Sequence, residues 1–298
     1  MSAHRSISFD ARSPLLVFGG PYSNLRATLA LKAEADRLGI AADRIICTGD
    51  VVAYCAEPEE TARLVADWGC HAIQGNCEQQ LAENAEDCAC NFADGSACDL
   101  LAKGWYPFAR AQMSRASRDW MAGLPTTLRF EFGGTTFRVV HGGVAQVNRW
   151  VFESDAAILA EECNAAGTDV VIAGHAGLPF VARSGPTTWF NPGVIGMPAN
   201  DGTADVWYGL IACNGTTVTL ATRRLAYDHA GAAAAMRRSG HANGYARTLV
   251  TGLWPSLDIL PARERAATGS AIRQQTAAVG KGVKRPRAVS PRRAVAAQ

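Results

Sequence analysis

The chain has 298 residues, 48% of them hydrophobic, enough to bury a substantial core as one large domain with appendages. No apolar run approaches the roughly 18 residues of a spanning helix, which excludes a helical membrane protein, and a net charge of +2 excludes a strongly basic chain. Residues 1–12 are polar and basic without an apolar stretch, so no secretory signal is expected and the cytoplasm is the expected location. Nine cysteines, an odd number, argue against a disulfide framework and for a reducing compartment.

Residues 15–18 read as a strand, and 24–38 as a helix with Leu25, Leu29 and Leu38 on one side and Gly39 as its stop. A strand at 44–48 leads to a helix at 57–68. A short strand at 72–74 enters a Cys-rich insert, residues 78–125, with helices at 97–110 and 114–122. Gly133 and Gly134 separate alternating runs at 128–132 and 135–140, a hairpin signal. A helix at 155–166 and a strand at 170–173 follow, then a hairpin of 207–213 with 216–222 across Asn214 and Gly215. Residues 227–260 read as two short helices packed on the core. Alternating βα units followed by hairpins predict an α/β chain with mixed sheets wrapped in helices.

The expected organisation is an N-terminal extension at 1–13, one domain at 14–260 and a disordered tail at 261–298. That tail is rich in Ala, Gly, Pro and Ser. No acidic residue follows Glu264, whereas Arg273, Lys281, Lys284, Arg285, Arg287, Arg292 and Arg293 do. Such a tail can touch nucleic acid or anionic lipid, or simply solubilise the chain; no base-reading motif supports the first use.

Four short apolar runs each deliver a metal-ligand residue beside a glycine: Asp50 in CTGDVV, Asn76 in IQGNCE, His141 in VVHGG and His175 in IAGHAG. Open α/β sheets place chemistry just beyond the carboxyl ends of strands. One carboxylate, one amide oxygen and two imidazoles suit a divalent transition metal such as Mn, Fe, Zn or Ni. Singly, Asp50 would read as a helix cap and each His as a buried structural residue; four at matching strand ends read as one site. In GGPYSN, Gly19, Gly20, Ser23 and Asn24 form either a phosphate-binding glycine turn at a helix start or a plain tight turn. Cys77, Cys88, Cys90 and Cys98 would hold Zn or an iron–sulfur cluster, or belong to a Cys-rich loop over the pocket; their spacing fits neither a zinc ribbon nor a ferredoxin run. Trp105, Tyr106, Trp150 and Trp189 are candidate pocket aromatics.

The ordered motifs resemble the signature D-x-H, GD, GNH(E/D), H and GHxH of the calcineurin-like metallophosphoesterase superfamily. Tyr54 after Asp50, and NPGVIG at 191–196, are similar to its small bacterial phosphodiesterase branch, and the resemblance covers residues 14 to about 225. It implies a four-layer αββα sandwich and hydrolysis of phosphoesters on two metals. Three positions depart from it: Gly20 stands for the first Asp, Tyr22 for the first His and Gly177 for the last His. By that resemblance the shell of Asp50, Asn76, His141 and His175 is retained and the other is dismantled. Cys77 replaces a His that relatives use near the leaving group, with Glu78 beside it.

The expectation is therefore a metal-dependent phosphoesterase, acting on a diester or monoester of a small phosphorylated substrate, with Cys77, Glu78 or Tyr22 assisting. The alternatives are a binding or regulatory protein that kept the fold, or a repurposed Cys-ligated metal or redox site.

Overall fold

The computed structural model describes residues 4–215, 217–240 and 244–279. Its frame is a pair of six-stranded sheets packed face to face. One runs Thr276–Val279, Thr217–Leu225, Val206–Asn214, Leu15–Phe18, Ile45–Cys47, His71–Ala72, the last three parallel. The other runs His4–Ser6, Thr127–Phe132, Thr135–Val139, Val170–Ile172, Thr187–Asn191, Phe180–Ser184, with a parallel centre from Thr135–Val139 to Thr187–Asn191.

The two-residue period of a strand explains why the central runs are apolar throughout. Leu15 and Val17 point into the core between the sheets, against Phe130, Phe137, Val139 and Ile172. Leu16 and Phe18 point the other way, under Leu25–Arg37, Pro58–Trp68, His229–Ser239 and Tyr245–Thr251. On the far side Ala156–Ala166 packs Leu159, Cys163 and Ala166 onto Val171 and Trp189. The result is the four-layer αββα sandwich. No helix among the described residues is long and apolar enough to cross a membrane.

Several local expectations change. Helix Leu25–Arg37 buries Ala27, Thr28, Leu31 and Ala35, while Leu29 is 48% exposed. Its phase is fixed at the start: Asn24 caps the helix by accepting from Ala27 N at 3.1 Å and donates its amide to Gly196 O at 3.1 Å. That anchor turns small residues toward the sheet and leaves the predicted Leu25–Leu29 side outside. The hairpin of Phe180–Ser184 and Thr187–Asn191 has no counterpart in the sequence reading.

The expected disorder from residue 261 is corrected over its first part. Ala262–Ala266 is helical, and Thr276–Val279 adds an edge strand to Thr217–Leu225, with Val218 opposite Val279. Small residues suffice there because an edge strand gains mainly from backbone pairing. Gln275 reinforces it by accepting from Val181 N at 2.8 Å in the other sheet. The N-terminal extension is likewise attached: His4–Ser6 pairs with Thr127–Arg129, and Phe9 meets Phe130 edge-on at 5.1 Å. Thr216 and the basic positions from Lys281 onward lie outside the described residues.

Asn24→Ala removes both the helix cap and the tie to Gly196, so unfolding free energy should fall by about 1–3 kcal/mol. A urea titration followed by circular dichroism should show an earlier midpoint.

Candidate metal centre

The parallel strands of the two sheets end on the same edge, and four loops leave it toward one another. Asp50 follows Ile45–Cys47, Asn76 lies just beyond His71–Ala72, His141 follows Thr135–Val139, and His175 follows Val170–Ile172. The four expected ligands are thus brought together and are all buried. His141 Nε2 lies 3.2 Å from Asp50 Oδ2, 3.2 Å from Asn76 Oδ1 and 3.1 Å from His175 Nδ1. Donor atoms of Asp50, His141 and His175 all fall within 4.8 Å of one another.

Proton bookkeeping tests whether a cation fits. His141 Nδ1 contacts Thr48 O at 2.7 Å, which places the ring proton there and leaves Nε2 with a lone pair. Asn76 donates its Nδ2 to Cys88 O at 2.8 Å, which turns Oδ1 inward. A carboxylate oxygen, an amide oxygen and two imidazole nitrogens then converge, and a single proton could satisfy only one of those contacts. A divalent ion satisfies all four, and the donor set is one that transition metals accept.

The electrostatics agree. Burial works against ionising Asp50, but His141 and His175 outweigh it and hold the carboxyl well below the usual range. Burial also opposes charge on His141, yet the Asp50 carboxylate holds its proton affinity above the ordinary imidazole value. His175 goes the other way because burial dominates, and it stays neutral and able to ligate. Its Nε2 is buried without a hydrogen bond of ordinary geometry, although the Asn148 backbone lies near enough to raise its basicity. Trp150 covers the ring at 4.0 Å between centroids.

Glu78 does not face the open cleft. It is fully buried, and its oxygens accept from Asp50 N at 2.7 Å, Val51 N at 2.8 Å and Gly75 N at 2.8 Å. Burial, with the Asp50 charge adding to it, pushes its pKa up to about 7. The expected assisting role is corrected to a positioning one, since every one of those contacts is to the backbone of the ligand loops. The loops also press closely: a Cβ on Gly75 would lie 2.4 Å from Asp50 Oδ1 and 2.9 Å from His141 Cε1. Cys77 is buried behind Asn76, gives its N–H to Asp50 Oδ1 at 3.3 Å, and has its thiol pKa pushed up by burial.

The glycine-turn expectation fails for a countable reason. Gly20 N donates to Gly49 O, Tyr22 N to Asp50 O, Ser23 N to Val51 O and Asn24 N to Pro21 O, so these donors are spent inside the protein. Ser23 Oγ accepts from Ala53 N, and Asn24 is the helix cap. The segment from Gly19 to Asn24 braces the Asp50 loop and leaves no N–H cradle for phosphate among those residues.

The four-cysteine cluster is also absent among the described residues. Cys88 and Cys90 form a disulfide, Cys77 is free, and Cys98 is free and turned toward Ser256 and Asp258. Two cysteines so close in sequence need no cysteine framework to pair. Cys90 Sγ instead lies 3.4 Å from Asn76 Nδ2, on the side away from the ligand oxygen.

At the position where the resemblance puts the first metal's Asp, Gly20 has φ of +40°, and a Cβ there would meet the Tyr22 ring at 2.5 Å. The two replacements belong together: the Tyr22 ring occupies the space that a side chain at 20 would need. Tyr22 meets Tyr54 edge-on at 4.8 Å, and both line a cleft with Trp150, His175, Gly177, Tyr245 and Trp254. Of the four aromatics expected near the pocket, Trp150 lines this cleft, while Trp105, Tyr106 and Trp189 are core. Trp254 and Tyr245 were not expected. The only signal for them was a Trp-Pro close to the helical segment after the second hairpin.

A sequence profile described as the calcineurin-like phosphoesterase superfamily domain matches residues 24–214. The chain belongs to that superfamily. Among curated proteins no sequence matches it. Among solved structures it is similar to a metallophosphoesterase from Sphaerobacter thermophilus, with 22% identity and a TM-score of 0.64 over 81% of this chain and 99% of that one. A hypothetical protein from Pyrococcus horikoshii OT3 has 15% identity and a TM-score of 0.67 over 80% and 98%. At these identities the likeness establishes the fold. The superfamily uses divalent metals, and the Asp50, His141 and His175 group is a candidate site for one.

Gly75→Ala should fold with a loss of about 1–3 kcal/mol from overpacking, and should weaken metal binding at least about tenfold by displacing Asp50. Competition against a chromogenic chelator reads the affinity. Gly20→Asp should not add a second metal equivalent, because Tyr22 holds the space; elemental analysis would reveal one if it did.

Proposed function

We propose that the chain is a metal-dependent phosphoesterase that works with the one retained metal position and hydrolyses phosphodiesters. The observation that carries this reading is the convergence of Asp50 Oδ2, Asn76 Oδ1, His141 Nε2 and His175 Nδ1 at one strand edge. A divalent ion held there supplies Lewis-acid polarisation of a phosphoryl oxygen and activation of water.

The chain's own residues then define the task. Asp50 is the one anionic donor and the two imidazoles ligate as neutral rings, so a divalent ion held there would keep a net positive charge, and among the described residues the adjoining cleft is lined by no Lys or Arg. A singly charged diester matches that balance better than a dianionic monoester, which would need more positive charge than the site offers. Tyr22 and Tyr54 stay neutral, because burial raises both phenols well above their usual pKa, so they can present hydroxyl donors but no phenolate. Cys77 stays a thiol for the same reason and supplies no nucleophile.

A second reading, a binding protein that kept the fold without hydrolysis, is favoured by one observation: Tyr22 fills the space beside Gly20 that the family gives to a metal ligand. The two readings separate in one experiment. Protein purified without a chelating tag should carry about one equivalent of transition metal and hydrolyse bis(4-nitrophenyl) phosphate. His141→Ala should keep its circular dichroism, lose the metal and fall at least about 100-fold in kcat/KM. Tight metal binding with no turnover of any diester or monoester would instead establish the binding reading.

A further inference from the structure

The cleft beside His175 is unlike the ligand shell in chemistry. Its walls come from loops that are distant in sequence, and among the described residues they carry no Asp, Glu, Lys or Arg. Tyr22, Tyr54 and Tyr245 form one side, with Tyr54 and Tyr245 rings 4.7 Å apart. Trp150 forms another, stacked with Phe92 at 6.0 Å and tilted by 32° against His175 at 4.0 Å. Trp254 closes the third, its indole N–H held by Pro198 O at 2.6 Å and its backbone N–H by Asn200 Oδ1 at 2.9 Å. With its polar edge satisfied, that ring offers the cleft an apolar face.

Gly177 keeps the space open. A Cβ at that position would stand 3.7 Å from both Trp254 and Val194, so a larger side chain would project between them. The position that the family gives to its last metal ligand has thus become part of an aromatic slot. His175 belongs to both places, offering Nδ1 to the ligand cluster while its ring lines the slot. A group bonded to a phosphate at the cluster would therefore extend past His175 into this slot.

We infer that the ester recognised here carries a flat, uncharged, apolar group, an aromatic or fused-ring alcohol, seated between Trp150, Trp254 and the Tyr22–Tyr54–Tyr245 side of the slot. The inference rests on the phosphoesterase reading for the phosphate half and on the slot alone for the other half. Walls lined by aromatic rings bind a flat ring through stacking and edge contacts as well as area burial. A polyanionic or sugar-like group would lose its water shell there with no charged partner to replace it.

Two measurements test it and separate it from the hydrolytic reading. The first is calorimetric binding of 2-naphthalenemethanol, the free alcohol, to chelator-treated protein. Saturable binding is expected, at least about tenfold weaker in Trp254→Ala; if that variant does not fold, Ile259→Lys serves, since Ile259 also lines the cleft. The second is kcat/KM for methyl 2-naphthylmethyl phosphate against methyl ethyl phosphate, a pair with similar leaving-group acidity. The naphthyl ester should be favoured at least about tenfold, and a 4-carboxybenzyl ester should lose that advantage. Hydrolysis of both esters with less than about threefold preference overturns the inference whether or not the alcohol binds, as does absence of saturable binding. Binding of the alcohol with no hydrolysis of any ester removes the hydrolytic reading and upholds the slot as the site of a flat apolar group.

Discussion

Glu78 sits between two loops that leave neighbouring strands, and its carboxylate takes the backbone N–H groups of Asp50, Val51 and Gly75. Buried N–H groups cannot be left unpaired without a cost of about 1–3 kcal/mol each, so this one side chain fixes the distance between the Asp50 and Asn76 loops. Asp50 depends on it in particular, because it sits at φ of +56°, a conformation a non-glycine residue holds only when its surroundings enforce it. The enforcement comes from both sides: Asp50 N reaches Glu78, and Asp50 O receives Tyr22 N. The ligand shell is therefore built on backbone hydrogen bonds, and the metal-facing atoms are what remains after these are made.

The same accounting explains the altered half of the site. Gly20, Tyr22 and Ser23 of the GGPYSN segment give their N–H groups to the Asp50 loop, which makes the segment part of the scaffold of the ligand cluster. Tyr22 lies in that segment, with its ring over Gly20 and its backbone tied to Asp50. Replacing it would disturb the loop carrying Asp50 as well as opening the space beside Gly20. Gly20 and Tyr22, two of the three positions that depart from the superfamily signature, thus belong to the turn that braces Asp50, while Gly177 lines the cleft from another loop.

How much of this could be read from the sequence follows from how local each cause is. Strand ends at Asp50, His141 and His175 were legible because a short apolar run and a glycine at the ligand are features of a few adjacent residues. The helix starts read at Asn24, Ser114 and Asp155 were legible for the same reason, and in the structure each of these residues caps its helix. The use made of Glu78 was not, because its partners Asp50 and Val51 lie 28 and 27 residues away. The GGPYSN donors failed as a phosphate cradle because the acceptors of Gly20, Tyr22 and Ser23, Gly49 to Val51, come from another loop. The edge strand Thr276–Val279 was hidden by composition: small residues and nearby basic ones read as disorder, while the open side of Thr217–Leu225 supplies the pairing that composition does not show.

Asn76 shows how the insert reaches the metal-facing atoms. An amide ligates through oxygen, so its nitrogen must be held elsewhere or the group is free to turn over. Cys88 O takes that nitrogen at 2.8 Å, and the Cys88–Cys90 disulfide ties the short loop that presents this carbonyl. The Cys-rich insert thus acts on the site without supplying a ligand from its sulfurs: Cys88 O holds Asn76, and Ala89 O and Asn91 O accept from Asn148 Nδ2 and Trp150 Nε1, the residues that lie against His175. Asp50 is fixed by Glu78 and Tyr22, and His141 by Thr48 O. Separate restraints thus converge on one small volume, and the orientations of Asp50, Asn76 and His141 depend on partners from different parts of the chain.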